Sequence, residues 1–288
     1  TRTNHMIPER LTALREKMRA YGVDAYLVPT ADYHESEYVG TYFKARTYIT
    51  GFTGSAGTAV ITQKEACLWT DGRYFVQAAK ELAGTGVTLM KMGQENVPTV
   101  EEYLLANTKE GMTIGFDGRV VNEMLGETLE KTLPERFLSY RSDLIGEIWS
   151  DRPALSAEPV WILNDAYTGE SAADRLAKVR EKMQENGAEV HILTALDDIA
   201  WMLNIRGNDI PCNPVVLSYL VLTKTEGHLF IQEKTLNDEV KQYLANLGIQ
   251  LHPYDAVYDF VAGISGKTIL LEKAKVNYTI CQSVMEDN

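Results

Sequence analysis

In the stretch LWTDGRYFVQAAKEL (Leu68–Leu82), an apolar run ends at Thr70 and a helix-like pattern starts at Asp71. With Asp71 as N-cap, Arg73 falls in the first helical turn, where partial positive charge disfavours a cation by a few tenths to about 1 kcal/mol. Two readings of that arginine stay open. It is a solvated arginine paired to a carboxylate, or a fixed cation that holds a carboxylate or peptide carbonyl of a ligand. At about 100° per residue, Arg73, Gln77, Lys80 and Glu81 form a polar stripe, and Tyr74, Phe75, Ala78, Ala79 and Leu82 are expected to face the core.

Other chemistry-bearing patterns are weaker. GFTGSAG (Gly51–Gly57) has neither GxGxxG nor GxSxG spacing, and is expected to be a tight loop feeding a strand. GISGKT (Gly263–Thr268) ends like a phosphate loop, but Val261 stands where its first glycine belongs, and a strand pattern, not a helix, follows. His5, His34, His191, His228 and His252 show no HxxxH or HExxH spacing, so no metal site is expected within the chain. LDDIAWMLNIRGNDIPCNPVV (Leu196–Val216) crowds polar groups near Trp201 and Tyr219. It is either a connecting loop or a site lining, and makes Arg206, Asn208 and Tyr219 secondary substrate-binding candidates.

The elements that must position these residues come in two copies. LREKMRAYGVDAYLV from Leu14 reads against VREKMQENGAEVHIL from Val179, each a helix, a glycine stop at Gly22 or Gly187, and a strand. Each copy continues with a hairpin, a helix and a strand, then another helix and strand: GTAVIT and ACLWT, helix 72–83, VTLMKM and TIGF in the first; VVLSYLVLT and HLFIQ, helix 235–246, IQLHPY and TILL in the second. The expected fold is α/β: two similar domains, each a mixed β-sheet flanked by helices, over residues 1–156 and 157–288, joined by the proline-containing SDRPALSAEP (Ser150–Pro159). At the second copy's strand-to-helix junction the sequence is FIQEKTL, without Asp-Gly-Arg, which favours a task for Arg73 particular to the first domain.

The chain's 288 residues, 45% of them apolar, suffice for two ordinary cores. With 40 acidic and 28 basic residues the formal charge is -12, which argues against nucleic acid or an anionic membrane surface as partner. Cys67, Cys212 and Cys281 suggest neither a disulfide framework nor a zinc site, and a reducing cytoplasm is expected. No apolar run approaches the roughly 18 residues of a membrane span, and TRTNHMIPERL has no signal-peptide core.

TGFTGSAGTAVIT, LWTDGRYFVQAA, LMKMG, IWSDRP, TALDDIAWMLNIRG and NPVVLSY resemble the cytosolic type of Xaa-Pro aminopeptidase, or aminopeptidase P, over essentially the whole chain. The resemblance implies two creatinase/prolidase-like N-terminal domains, without the catalytic pita-bread domain whose two divalent metals are usually manganese. It implies no catalytic residue, metal ligand or cofactor in this chain. It gives Arg73 a role in holding a peptide with proline second, and the parent enzyme the form of a homodimer. Cys212 stands where relatives often place a histidine. The expected function is the non-catalytic N-terminal portion of such a peptidase, shaping the substrate cleft and dimer contacts. The alternatives are a stand-alone binding or assembly module of the same fold, or the N-terminal part of a dipeptide or creatine-type hydrolase, which is expected to have one such domain.

Overall fold

The computed structural model describes residues 2–284 and 288. The chain divides into two compact units. Unit 1 runs to Asp32 and resumes over Thr41–Ala154; unit 2 takes Tyr33–Gly40 and the chain from Leu155 onward. Residues 152–160 form no helix or strand.

Unit 1 has six strands: β1 Ala25–Val28, β2 Thr58–Thr62, β3 Ala66–Thr70, β4 Thr88–Lys91, β5 Thr113–Gly115 and β6 Phe137–Ser139. Their order is β4-β3-β2-β1-β5-β6, with β2 antiparallel to both neighbours and the outer pairs parallel. The β2–β3 turn is short enough for a hairpin, whereas the parallel step from β3 to β4 needs a crossover, supplied by helix Phe75–Leu82.

In unit 2 the strands are β7 Trp161–Ile162, β8 Val190–Leu193, β9 Ile205–Arg206, β10 Ser218–Thr223, β11 Gly227–Ile231, β12 Ile249–His252 and β13 Ile269–Leu270. Five form the order β12-β11-β10-β8-β13 with the same pattern of directions as unit 1, while β7 and β9 pair separately. The two-copy mixed-sheet fold expected from the repeat is therefore present.

The repeat extends to individual contacts. Ile7, Leu11, Leu14 and Met18 line one face of helix Arg2–Tyr21 and join unit 1's core. At the same offset, Ala172, Leu176, Val179 and Met183 lie on helix Ala172–Glu185; Leu176 and Met183 are buried in the second core and Val179 packs against it. Each helix stops on a left-handed glycine, Gly22 (φ 70) or Gly187 (φ 67), and the next N–H reaches back to Met18 O or Met183 O at 2.8 Å. The shared arginine then anchors the hairpin: Arg15 Nε donates to Thr62 O at 2.8 Å and Arg180 Nε to Thr223 O at 3.1 Å. Both hairpins turn alike, Thr62 N to Glu65 O and Thr223 N to Glu226 O, each 2.9 Å.

Alternation along unit 2's strands separates two faces. Leu220, Leu222, Leu229, Ile231 and Ile249 pack with the helices, each fully buried leucine or isoleucine contributing about 1.5–3 kcal/mol. Tyr219, His228, Phe230 and His252 occupy the other face, among Tyr254, Tyr258, Phe260 and His34.

Candidate functional site

Asp71 caps a short 3₁₀ turn, Gly72–Tyr74, and the α-helix proper starts at Phe75. Arg73 is therefore not in the first α-helical turn, as the sequence pattern predicts, but in the tighter turn before it. The Asp71 carboxylate accepts from Arg73 N at 3.0 Å and grips the guanidinium edge, Nε on Oδ1 and Nη2 on Oδ2, both at 2.9 Å. The cap itself thus supplies the counter-charge. The Arg73 side-chain hydrogen bond is the largest influence on Asp71 and, with the backbone contact and charge of the same residue, holds its carboxyl below the usual carboxylate range against the opposing effect of burial. The Arg73 side chain remains 70% exposed.

Ala78 and Leu82 are buried and Tyr74 and Phe75 half-buried, as the helical pattern predicts; Ala79, expected on the core side, is exposed. Ala79 lies at the margin of that face, about 100° around the helix from Ala78, where the apolar arc meets solvent.

The GFTGSAG segment forms the loop expected of it and is bonded to Tyr74, Gln77 and Glu81, which follow Arg73. Glu81 accepts from Thr53 N at 3.2 Å and Thr53 Oγ1 at 2.8 Å, and Gln77 Nε2 bonds both Thr53 Oγ1 and Glu81 Oε1. Ser55 Oγ lies 2.5 Å from Tyr74 OH, and that contact is the main reason the phenol sits below its ordinary value. The other side of the loop is held by Arg46, only 5% exposed, which donates Nη2 to Gly54 O and stacks 4.9 Å from the Phe52 ring centre. Burial pulls this guanidinium down to about 10. A Cβ on Gly54 would lie 2.2 Å from Phe52 Cζ, and one on Gly57 2.8 Å from Arg46 Nη1. The glycines are thus required by ring and guanidinium packing.

Arg206, Asn208 and Tyr219 belong to unit 2 and do not converge. Arg206 Nη1 donates to Ala200 O at 2.6 Å and Ile205 O at 2.9 Å, near the end of helix Leu196–Leu203, and burial lowers its basicity. Asn208 is exposed. Tyr219 is fully buried, with its hydroxyl 3.0 Å from Tyr258 OH and its ring stacked on Tyr254. The loop is organised instead by Asp209, whose carboxylate accepts from Ser156 Oγ, Glu158 N and Leu217 N at 2.7–3.1 Å. Arg46, Glu81 and Asp209 escape a motif search because each works through backbone partners. Asp209, in the polar loop, carried the only local hint.

The creatinase/prolidase N-terminal domain profile matches residues 10–147, and a second profile of the same description matches 151–288. Aminopeptidase P2 of Arabidopsis thaliana is 36% identical over 96% of this chain and 40% of its own length. Xaa-Pro aminopeptidase 1 of Dictyostelium discoideum is 35% identical over 96% of this chain and 46% of its own. The chain therefore spans less than half the length of these relatives. The X-prolyl aminopeptidase of Caenorhabditis elegans, described as a cytosolic enzyme with a di-nuclear active site, superimposes with a TM-score of 0.90 and 34% identity over 96% of this chain and 48% of its own. Among the described residues no helix is long and apolar enough to cross a membrane. With the two matched segments covering nearly all of it, the chain belongs to the creatinase/prolidase N-terminal domain family and carries that domain twice.

Proposed function

We propose that this chain is the non-catalytic N-terminal part of a cytoplasmic Xaa-Pro aminopeptidase, a hydrolase that removes the first residue of peptides with proline second. The observation that carries the proposal is the likeness to the Caenorhabditis elegans enzyme over 96% of this chain. Hydrolysis then belongs to a further domain with two divalent metals, taken to be manganese, which would supply the attacking hydroxide and stabilise the developing charge. Among the described residues no group of three or more His, Cys, Asp and Glu side chains could hold a metal ion.

The chain's own contribution is to shape the substrate cleft and the contacts of a homodimer, with Arg73 offering N–H donors to a peptide carbonyl or carboxylate. Asp71 fixes the plane of the guanidinium, so little side-chain entropy remains to be lost when the peptide docks. A dipeptide or creatine-type hydrolase is disfavoured, since one such domain is expected there and two are matched here. The test is cleavage of Xaa-Pro peptides with added manganese by this chain and by a longer protein that includes it. Turnover by the longer protein alone is expected. Manganese-dependent turnover by the 288 residues would overturn the proposal, and none from either would favour a binding or assembly module.

A further inference from the structure

The two units treat one equivalent place differently. In unit 1 side chains bridge the hairpin end of the sheet: Arg19 Nη1 donates to Gln63 Oε1 at 2.6 Å, and Gln63 Nε2 donates to Arg15 O at 3.1 Å. Gln184 and Lys224 stand at the corresponding positions of unit 2, and Ala188 replaces the larger Val23. A cavity of about 440 Å³ occupies the place, lined by Arg180, Lys224 and Lys267 around an apolar floor of Met183, Ala188 and Val190.

Its charge runs against that of the chain. Three cations face one carboxylate, Glu189, which is already engaged by Lys267 Nζ at 3.6 Å and Thr268 N at 3.3 Å. Arg180 uses its Nε and Nη2 for Thr223 O and Glu226 O, contacts that fix the guanidinium plane and do not involve Nη1. Burial pulls Arg180 below the ordinary guanidinium value, as expected for a cation short of water. Lys224 and Lys267 are exposed at the mouth and can swing onto an anion as point charges. In a chain of net charge -12, an excess of two positive charges in one concavity is a local reversal of the field.

We infer that this cavity is a binding site for a phosphate-type oxyanion, with the charge held by Arg180, Lys224 and Lys267 and any attached apolar group resting on Met183, Ala188 and Val190. The site is independent of the peptidase proposal and of Arg73. Free phosphate and a phosphate ester share the charged half; only the ester uses the floor.

Inorganic phosphate and phenyl phosphate, titrated into the chain at constant ionic strength and followed by amide resonances, separate these sources. Shifts are expected at Gly187, Ala188, Lys224, Thr225 and Lys267. Tighter binding of phenyl phosphate assigns the site to an ester, and equal binding assigns it to the free oxyanion. The double variant K224Q/K267Q should weaken binding about tenfold or more through the loss of charge-assisted contacts, with the thermal midpoint little changed because both lysines are exposed. Rebuilding unit 1's bridge with Q184R/K224Q should abolish binding by filling the cavity while keeping one cation for another. Absence of shifts at millimolar ligand, shifts reproduced by chloride alone, or undiminished binding by both double variants would each overturn the inference.

Discussion

Asp117 receives the backbone N–H, Nε and Nη2 of Arg119, each at 3.0 Å. The same three contacts join Asp71 to Arg73, and the sequence between is again a single glycine. Asp-Gly-Arg is thus a local clamp that unit 1 uses twice, so the clamp alone does not mark a site. Exposure separates the two: the Arg73 side chain is 70% exposed and its aspartate 37%, against 32% and 10% for Arg119 and Asp117.

That difference predicts separable consequences in a longer, active protein. Arg73→Ala should lower kcat/KM for Xaa-Pro peptides about 10- to 100-fold, the range for losing a charge-assisted hydrogen bond, and leave the melting midpoint almost unchanged. Arg119→Ala should instead lower the midpoint and spare kinetics, because it strips the partner from a buried carboxylate. Steady-state kinetics beside thermal melts check both; unchanged kinetics for Arg73→Ala would return Arg73 to the solvated ion-pair reading.

The clamp also gives a pH signature. Asp71 is held below the usual carboxylate range, so the folded chain binds its proton less readily than the unfolded chain does. Its stabilising contribution is therefore present above about pH 4 and is lost as pH falls through the folded-state value. Asp71→Asn keeps an oxygen for the cap but removes the charge. Its melting midpoint should lie below the parent's at neutral pH and converge with it in acid.

Glycines around Arg73 should differ sharply in tolerance. Gly54→Ala and Gly57→Ala place a Cβ against the Phe52 ring or the Arg46 guanidinium, and each should cost about 1–3 kcal/mol as overpacking. Gly72, at the centre of the clamp, would set its Cβ 3.9 Å from Phe75 Cε2, an ordinary contact. Gly72→Ala should be neutral or stabilising by up to about 1 kcal/mol. Urea melts of the three variants test the order.

The architecture was legible because it rests on periodicity. Helix faces, glycine stops and hairpins recur at one offset in both units, and Asp71 reads as a cap from its residue type alone. The site was less legible. Arg46 looks like any helix arginine until the loop folds over it, and Tyr219 looks like a site residue until strand register sends it inward. Assignment of Tyr33–Gly40 to unit 2 had no local signal at all, since it depends on contacts more than 150 residues away such as His34 with Thr194.

His34 should prove a structural linchpin of unit 2. Its Nδ1 lies 2.8 Å from the carbonyl of Thr194, which only accepts, so the ring proton is on Nδ1 and Nε2 accepts from Tyr254 OH at 2.5 Å in the neutral ring. Nitrogen NMR should report the Nδ1–H tautomer. His34→Ala takes the imidazole donor from the Thr194 carbonyl and removes one contact of the Tyr254 hydroxyl, and should cost about 1–3 kcal/mol.

His252, on unit 2's aromatic face, should make the unit's stability depend on pH. His228 Nε2 faces Glu226 Oε2 at 3.0 Å, and its Nδ1 meets His252 Nε2 at 2.9 Å. With the carboxylate taking the Nε2 proton of His228, the His228 Nδ1 accepts from His252 Nε2–H. Protonating both rings would turn two N–H donors onto each other. From the covering helix Val257–Ala262 the contacting ring is Phe260, which carries no charge, and Phe230 stacks on His252 from the neighbouring strand. Burial first, and His228 second, hold His252 below the ordinary imidazole value. The unfolded chain then takes up a proton at about pH 6.5 that the folded chain resists, so stability should be flat above pH 7 and fall as the solution is acidified through that value. His252→Gln should flatten the profile between about pH 7.5 and 5 while retaining a donor toward His228. A parent midpoint that does not fall across that window, or a His252→Gln midpoint that falls in parallel with it, would place the titrating group elsewhere.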